Sequence, residues 1–333
     1  MQTLIDPAIL FFVFGVLAGL VKSNLEIPPA ISRFLSLYLL MALGLKGGFA
    51  LAHSGLTTEV ATGLSLAITL ALLIPVLSYA VLSRFLSGFD AAAVAATYGS
   101  VSAVTFITAI GHLENQHIAF GGHMAAAMAL MESPAIILAV IFANTIRRER
   151  EAIQASTDKE NFGANLDKPK SPTLKILHES LTDGAQLLLL GAMVIGLMTG
   201  ETGQAAMQPF SGDLFKGMLS FFLLDMGLMT ARNLPQLKGQ SPWLMAFAFV
   251  APLVHASMAL ALAGIFQLPL GDAILLMVLA ASASYIAVPA VLRYAIPEAN
   301  PSLYFGLSLG VTFPLNILFG IPLYAQVANT FLG

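Results

Sequence analysis

Cysteine is absent from this chain of 333 residues. Disulfides, thiolate catalysis and cysteine-ligated metal sites are therefore excluded, whereas the redox compartment stays open. The N-terminus also lacks the basic start and the small-residue cleavage site of a signal peptide. We therefore expect the first apolar segment to remain in the mature protein.

Charge is also scarce. Asp, Glu, Lys and Arg make up 10% of the residues, against about 25% in an ordinary soluble domain. Hydrophobic residues make up 57%, and the mean hydropathy is +0.84. Because a span needs about 20 mainly apolar residues, the composition predicts an all-α, multi-pass membrane protein with about ten spans. A net charge of −3 gives no reason to expect nucleic-acid binding.

Ten apolar runs, each bounded by charge, proline or glycine, fall into two groups of five. Between the groups, residues 147–176 are polar, charged and proline-containing, and we expect a solvated linker there. This division predicts a first five-span repeat at 1–146 and a second at 177–333. The runs lie at about 8–22, 30–52, 60–86, 90–112, 123–146, 182–201, 210–231, 242–266, 272–296 and 301–329.

The basic residues predict the orientation of these spans. Seven of the fifteen lie in the linker, six more lie at span ends on the same side, and only Lys46 and Lys216 lie on the other. Basic residues concentrate on the cytoplasmic side, so we expect a cytoplasmic linker and extracytoplasmic termini. An odd number of spans in each half makes the second half enter the membrane in the opposite direction. The sequence therefore predicts an inverted repeat, as in many secondary transporters.

One polar pattern occurs in both halves. A small, serine-containing stretch starts at Gly99, nine residues past Asp90, and its counterpart starts at Ala281, nine residues past Asp272. Both segments open with Asp-Ala and place two serines one residue apart. A doubled polar interruption inside apolar spans points to a transporter site between two repeats, although close helix packing through small residues is the alternative.

The serine stretches suggest a binding mechanism for an anion. If each helix breaks there, the following half-helix starts with unpaired N–H groups and a positive dipole end. Two such ends could hold a small anion without Lys or Arg, and neither is expected near the membrane centre. The predicted substrate-binding residues are Gly99, Ser100, Ser102, Ala103, Thr105, Ser282, Ser284 and Tyr285.

Two carboxylates lie inside apolar spans. An acidic residue at that depth costs roughly 2.5–3.5 kcal/mol on insertion scales, so it suggests a function. Glu132 is close to Pro134, which frees a backbone carbonyl that could join the carboxylate around a hard cation. Asp225 has no acidic counterpart in the first half. The alternatives are a protonated, hydrogen-bonded structural role for Glu132 and structural pairing of Asp225 with a polar neighbour. The predicted cation ligands are Glu132, Asp225, Thr312 and Asn316.

The histidines are less informative. His255 lies near the middle of an apolar run, where a hydrogen-bonded packing role is favoured over a proton relay. The cluster of His112, His117 and His123 falls in a predicted outer loop without a companion carboxylate pattern, and we interpret these residues as solvated.

Several blocks of sequence closely resemble the SbtA family of sodium-dependent bicarbonate transporters. They are Gly99-Ser100-Val101-Ser102, residues 131–136 and 284–291, Arg293 with residues 296–302, and residues 309–314. The resemblance covers essentially the whole chain. One departure is Glu132, where the family pattern leads us to expect Asp, and the linker is shorter than in cyanobacterial members.

The resemblance implies sodium/bicarbonate symport in the inner (plasma) membrane of a bacterium, with sodium as co-substrate and no further cofactor. It also implies ten helices in two inverted five-helix repeats with discontinuous helices at the midplane. A core would move against a gate in an elevator-type mechanism within a homotrimer. In cyanobacterial members it further implies a PII-like cytoplasmic regulator, SbtB.

Other functions remain open at this level. A permease of the same architecture could carry another small oxyanion or carboxylate. An intramembrane hydrolase could use Ser102 or Ser284 with a histidine, or Glu132 with Asp225, but serine catalysis needs one nucleophile with a positioned base. The duplicated serines and the unmatched acids argue against an enzyme. A non-transporting scaffold would need neither broken helices nor buried acids.

Overall fold

The computed structural model describes residues 6–55, 57–157, 184–237 and 239–333, and the regular elements within these ranges are all helices. Their bounds are α1 (Pro7–Leu20), α2 (Pro29–Ser54), α3 (Thr58–Leu82), α4 (Gly88–Gly99), α5 (Ala103–Asn115), α6 (Met124–Thr157), α7 (Gly184–Met207), α8 (Phe215–Asn233), α9 (Pro242–Ile265), α10 (Leu270–Ala281), α11 (Ala287–Ala295) and α12 (Pro301–Leu332).

Three helices begin with a side-chain cap followed by proline. The capping oxygen accepts a backbone N–H of the first turn, and proline at the first position sacrifices no helical hydrogen bond. The caps are Asp6 before α1, Ser241 before α9 and Asn300 before α12. Local chemistry therefore fixes where these helices start.

Seven stretches of the described residues are long and apolar enough to cross a membrane, which fits a multi-pass membrane protein. They are α2, α3, α4 with α5, α6, α7 with α8, α9 and α12. The other apolar helices, α1 and α10, have 14 and 12 residues, fewer than the about 20 that a perpendicular span needs. In addition, α7 and α8 belong to one apolar stretch of 47 residues. Ten spans therefore stay a prediction.

The start of the predicted linker differs from expectation. Helix α6 continues to Thr157, so residues 147–157 are helical; the rest of the linker lies outside the described residues. Arg and Glu dominate residues 147–151, and both are good helix formers. The end of an apolar run therefore did not mark the end of the helix.

Helices α4 and α10 are buried almost from end to end. Each is apolar on all sides because alanine, valine and leucine dominate it, as expected for a helix surrounded by protein. Helix α4 packs against α3 and α6, while α10 packs against α9 and α12. These two helices lead the chain into the serine stretches.

Two helix crossings depend on glycine. Helix α1 packs against α8 where Gly15 faces Gly227, and α2 packs against α7 where Gly48 faces Gly196. A β-carbon on Gly227 would lie 2.2 Å from the carbonyl oxygen of Phe12, so only glycine fits there. The crossings correspond at a shift of about 180 residues, since 196 − 15 is 181 and 227 − 48 is 179.

The glycine crossings predict a position-specific loss of stability. Gly227→Ala and Gly196→Ala should each lower the free energy of unfolding by about 1–3 kcal/mol, as overpacking does. The matched controls are Gly217→Ala on α8 and Gly191→Ala on α7, where a β-carbon meets nothing within 4 Å. Thermal unfolding in detergent measures the difference. Equal stability of crossing and control variants would contradict the close approach.

Candidate functional site

The chain leaves the helical conformation at both serine stretches. Helix α4 ends at Gly99 and α5 begins at Ala103, whereas α10 ends at Ala281 and α11 begins at Ala287. The residue after each first helix, Ser100 or Ser282, has an extended backbone. The interruptions therefore lie at the serines that the sequence pattern singles out.

Hydrogen bonds join the two interruptions to each other. The backbone N–H of Ser102 donates to Ser282 Oγ at 3.0 Å, and that of Ser284 donates to the carbonyl oxygen of Thr97 at 2.8 Å. Ser282 Oγ also donates to the Leu279 carbonyl at 2.8 Å. Each half of the chain thus satisfies a backbone group that the other half leaves without a helical partner.

Two serine hydroxyls bond to the first turns of the half-helices that follow, Ser102 as the N-cap of α5 and Ser284 from two residues before Ile286, the N-cap of α11. Ser102 Oγ accepts the backbone N–H of Thr105 at 3.2 Å, and Ser284 Oγ accepts that of Val288 at 3.3 Å. A hydroxyl oxygen that accepts such a bond keeps its own proton available for another acceptor. Both helix starts can therefore offer a hydroxyl donor to a bound anion.

A small cavity lies beside these helix starts. Its volume is about 70 Å³, compared with the roughly 10–15 Å³ that one water needs, so a small polyatomic ion has room. None of the described residues that line it is Lys or Arg. Its polar side chains are Ser36, Ser102, Glu132, Ser284 and Tyr285. The apolar walls are Leu40, Val101, Ala103, Val104, Met128, Leu189, Ile286 and Ala287.

Four of the predicted substrate-binding residues support the cavity from outside its lining. Gly99 packs on Pro75, whose ring would lie 2.6 Å from an added β-carbon. Thr105 is buried and donates its N–H to Ser102, and Ser282 accepts the N–H that joins the two interruptions. The hydroxyl of Ser100 is buried without a hydrogen-bond partner among the described residues. The other four, Ser102, Ala103, Ser284 and Tyr285, line the cavity.

The predicted cation ligands do not all share this cavity. Glu132 lines it, whereas Asp225 lies on α8 and accepts a hydrogen bond from Ser32 of α2. Across the described ranges, no group of three or more His, Asp and Glu side chains is placed to hold a metal ion. A cation at Glu132 would therefore need hydroxyl, amide or backbone oxygens as its other ligands.

Thr312 and Asn316 already have partners on other helices. Thr312 Oγ1 donates to the Ala248 carbonyl at 2.9 Å and lies 2.6 Å from the Tyr98 hydroxyl. Asn316 Nδ2 donates at 2.8 Å to the carbonyl of Ala281, the last residue of α10. Both residues are buried. In this conformation Thr312 contacts α4 through Tyr98, and Asn316 contacts the end of α10 through Ala281. A role as sodium ligands stays a prediction.

A comparison with protein families identifies the family of the chain. Residues 7–329 match the family described as the Na+-dependent bicarbonate transporter superfamily. The chain belongs to this superfamily. The resemblance predicted from the sequence is thereby confirmed, and a search of curated proteins finds no significant match. Membership makes the chain a sodium-dependent bicarbonate transporter, with sodium and bicarbonate as its transported solutes.

Ser36 lines the same cavity and is a residue that sequence reasoning missed. It lies on α2, outside both serine stretches, and reaches the cavity because α2 passes beside α5 and α6. No motif marks it. A serine in an otherwise apolar stretch of α2 was the available signal, and single serines of that kind are common in membrane helices.

His123 differs from expectation. Instead of being solvated, it is 4% exposed, and its Nε2 atom lies 3.5 Å from Asp272 Oδ2. Burial lowers the pKa of His123. The segment before α6 folds against the start of α10, and a contact over that sequence separation is not visible in spacing.

Removing either capping hydroxyl should weaken anion binding. Ser102→Ala and Ser284→Ala each lose one hydrogen bond to a charged ligand, worth about 1.5–3 kcal/mol, or roughly ten- to hundred-fold in affinity. In Ser102→Ala, loss of the N-cap of α5 should also lower stability by about 1 kcal/mol. Bicarbonate half-saturation of uptake measures the first effect and thermal unfolding the second.

Ser257→Ala on α9 is the control for both measurements, because Ser257 is exposed and its hydroxyl donates to the Leu253 carbonyl of its own helix. Packing through small residues predicts a different pattern: alanine is tolerated, and only Ser102→Leu or Ser284→Leu disrupts the protein. Normal affinity in both alanine variants would remove the hydroxyls from the site.

Proposed function

We propose that this protein is a sodium-coupled bicarbonate symporter that holds the anion in the cavity between the two helix interruptions. The observation that carries the proposal is the meeting of two half-helix starts at one cavity, each with a backbone N–H of its first turn bonded to a serine hydroxyl, Ser102 or Ser284. Helix starts present N–H groups and a positive dipole end to anions. Together with the hydroxyls they supply donors where no basic side chain lines the cavity.

Bicarbonate matches this set of donors. It is a small monoanion whose oxygens accept several hydrogen bonds and whose single O–H donates one. The hydroxyls of Ser36, Ser102, Ser284 and Tyr285 can donate to it. Another small oxyanion or carboxylate of similar size is the second candidate, because hydroxyls and helix ends are not selective for one anion.

Glu132 is our proposed sodium residue. Of the four predicted cation ligands it alone lines the cavity, and a carboxylate is the anionic ligand that hard cations prefer. A sodium ion there would offset the carboxylate charge and attract the anion. Binding of the two ions would then be coupled without a direct bond between them.

The way the helices pair supports inverted repeats and elevator motion. The first helix of each half packs against the second helix of the other half, as α1 with α8 and α7 with α2. Two repeats at 1–146 and 177–333, related by a two-fold axis in the membrane, would exchange these pairs. We propose that α1, α2, α7 and α8 form the gate, and that the remaining helices form a core carrying the cavity.

An outer route to the cavity runs along the same helices. A larger cavity of about 600 Å³ is lined by the next turns of α2, α5 and α6, with Leu43, Phe106 and Ala125 among its walls. Lys46 Nζ lies 2.8 Å from Glu114 Oε1 within it. We propose that this cavity is the outer vestibule, and that the Lys46–Glu114 pair joins gate to core at its rim.

The neighbouring residue makes a second link of this kind. Asn115 Oδ1 accepts from Lys216 Nζ of α8 at 2.6 Å, and Asn115 Nδ2 donates to Asp6 Oδ2 before α1 at 2.6 Å. The end of α5 is therefore tied to three gate helices.

We further propose a homotrimer in a bacterial plasma membrane with extracytoplasmic termini and, as in cyanobacterial members, a PII-like regulator.

Uptake of labelled bicarbonate into proteoliposomes tests the proposed function. With an inward sodium gradient the purified protein should accumulate bicarbonate, and replacement of sodium by potassium should abolish accumulation. Competition by acetate, nitrate and sulfate distinguishes the second candidate. Uptake that ignores the sodium gradient would contradict symport, and stronger accumulation of another anion would replace bicarbonate as the substrate.

Neutralising Glu132 should weaken the response to sodium. Glu132→Gln should raise the sodium half-saturation of uptake about ten-fold or more, since a hydrogen bond or ion contact of a charged group is worth about 1.5–3 kcal/mol. Bicarbonate affinity should fall mainly at low sodium. Glu132→Asp, which keeps the charge, is the control. An unchanged sodium half-saturation in Glu132→Gln would exclude this assignment.

Linking Lys46 to Glu114 should stop transport. The chain has no cysteine of its own, so a Lys46→Cys/Glu114→Cys variant carries only the two introduced thiols. A short bifunctional thiol reagent should block uptake, and a cleavable version should restore it on reduction. Each single-cysteine variant treated in the same way is the control. Full uptake by cross-linked protein would mean that this contact does not open during the cycle.

A further inference from the structure

Two aspartates that mark the repeat are not used by the proposed transport site. Asp90 lies in the first turn of α4, and its Oδ1 accepts the backbone N–H of Asn300 at 2.8 Å. Asp272 lies in the first turn of α10, and its Oδ1 accepts the backbone N–H of Gly121 at 2.5 Å. Each aspartate therefore reaches from one half of the chain to the other.

The two contacts are equivalent in position. Asn300 immediately precedes α12, the last helix of the second half, and Gly121 precedes α6, the last helix of the first half. The donors differ by 300 − 121 = 179 positions and the acceptors by 272 − 90 = 182. The same acceptor position thus ties each broken helix to the segment that enters the last helix of the other half.

We infer that Asp90 and Asp272 are positioning residues for the anion site. Helices α4 and α10 are short and almost completely buried, so a tie at one end fixes the other end. Those other ends carry Thr97, which accepts the Ser284 N–H, and Ser282, which accepts the Ser102 N–H. The two aspartates thereby fix the distance between the start of α5 and the start of α11. This inference rests on the proposed function.

The two ties differ in burial. Asp272 is 2% exposed and lies beside His123, whereas Asp90 is partly exposed and also accepts a hydrogen bond from Ser87 Oγ at 2.7 Å. Water can replace a lost acceptor more easily at Asp90. The Gly121 N–H is part-buried, whereas the bond at Asn300 is exposed, so removing the acceptor at Asp272 is the costlier change. The alanine variant at 272 should therefore be the more impaired of the two.

Four variants test the role of the acceptor. Asp90→Asn and Asp272→Asn keep an oxygen at the Oδ1 position and remove the charge, whereas Asp90→Ala and Asp272→Ala remove both. The alanine variants should raise the bicarbonate half-saturation several-fold with a much smaller change in maximal rate. The asparagine variants should stay close to wild type, because the backbone N–H still finds its acceptor.

Amide hydrogen exchange supplies a readout that does not depend on transport. Peptides containing Asn300 should exchange about ten-fold or more faster in Asp90→Ala, and those containing Gly121 should do so in Asp272→Ala, given the strength of a hydrogen bond to a charged group. In Asp90→Ala the peptides containing Gly121 are the control, and in Asp272→Ala the peptides containing Asn300 are the control. If an alanine variant does not fold, the asparagine variant at that position still has to show wild-type exchange.

The outcomes separate this inference from the proposed function. Unchanged exchange together with unchanged half-saturation in the alanine variants would overturn it. Asparagine variants as impaired as the alanine variants would also overturn it, because charge instead of an acceptor would then be required. If the wild-type protein moved another anion, the proposed substrate would fail, but the exchange measurement and the half-saturation for that anion would still test the ties.

Discussion

A backbone that leaves the helical conformation inside a membrane protein must find its hydrogen bonds in protein, since hydrocarbon offers none. In this chain two such segments satisfy each other: Ser102 N–H bonds to Ser282, and Ser284 N–H bonds to Thr97. Neither break is self-sufficient. Each interruption needs the other to satisfy its backbone N–H group, so the two occur together. The side chains around them are placed by these two bonds.

Tight packing elsewhere keeps this arrangement in place. The glycine crossings of α1 with α8 and of α2 with α7 bring backbone against backbone, which leaves little freedom for these pairs to slide. Contacts between these helices and α5 include side-chain links such as Lys46 with Glu114. Side-chain contacts can be broken and remade without unpacking a crossing. Motion is consequently expected between the proposed gate helices and the proposed core helices, and not within either group.

The sequence revealed the features that depend on neighbours along the chain. Serine spacing located both interruptions, and hydropathy located the apolar runs. Features that depend on contacts between distant segments were not visible: the place of Ser36 in the cavity, the burial of His123 against Asp272, and the end of α6 at Thr157. Asp225, Thr312 and Asn316 were grouped as possible ligands by residue type, but each has partners on another helix.

The charge of the cavity lining affects whether bicarbonate can bind without sodium. With Glu132 ionised, the described lining carries one negative charge and no positive one. Sodium alone brings the cavity to neutrality, and sodium with bicarbonate returns it to one negative charge. Bicarbonate alone would place two negative charges together, which at a separation of 4 Å and an effective dielectric constant of 20 is unfavourable by about 4 kcal/mol. In the proposed site the carboxylate would thus disfavour the form loaded with bicarbonate alone, and so oppose escape of bicarbonate without sodium.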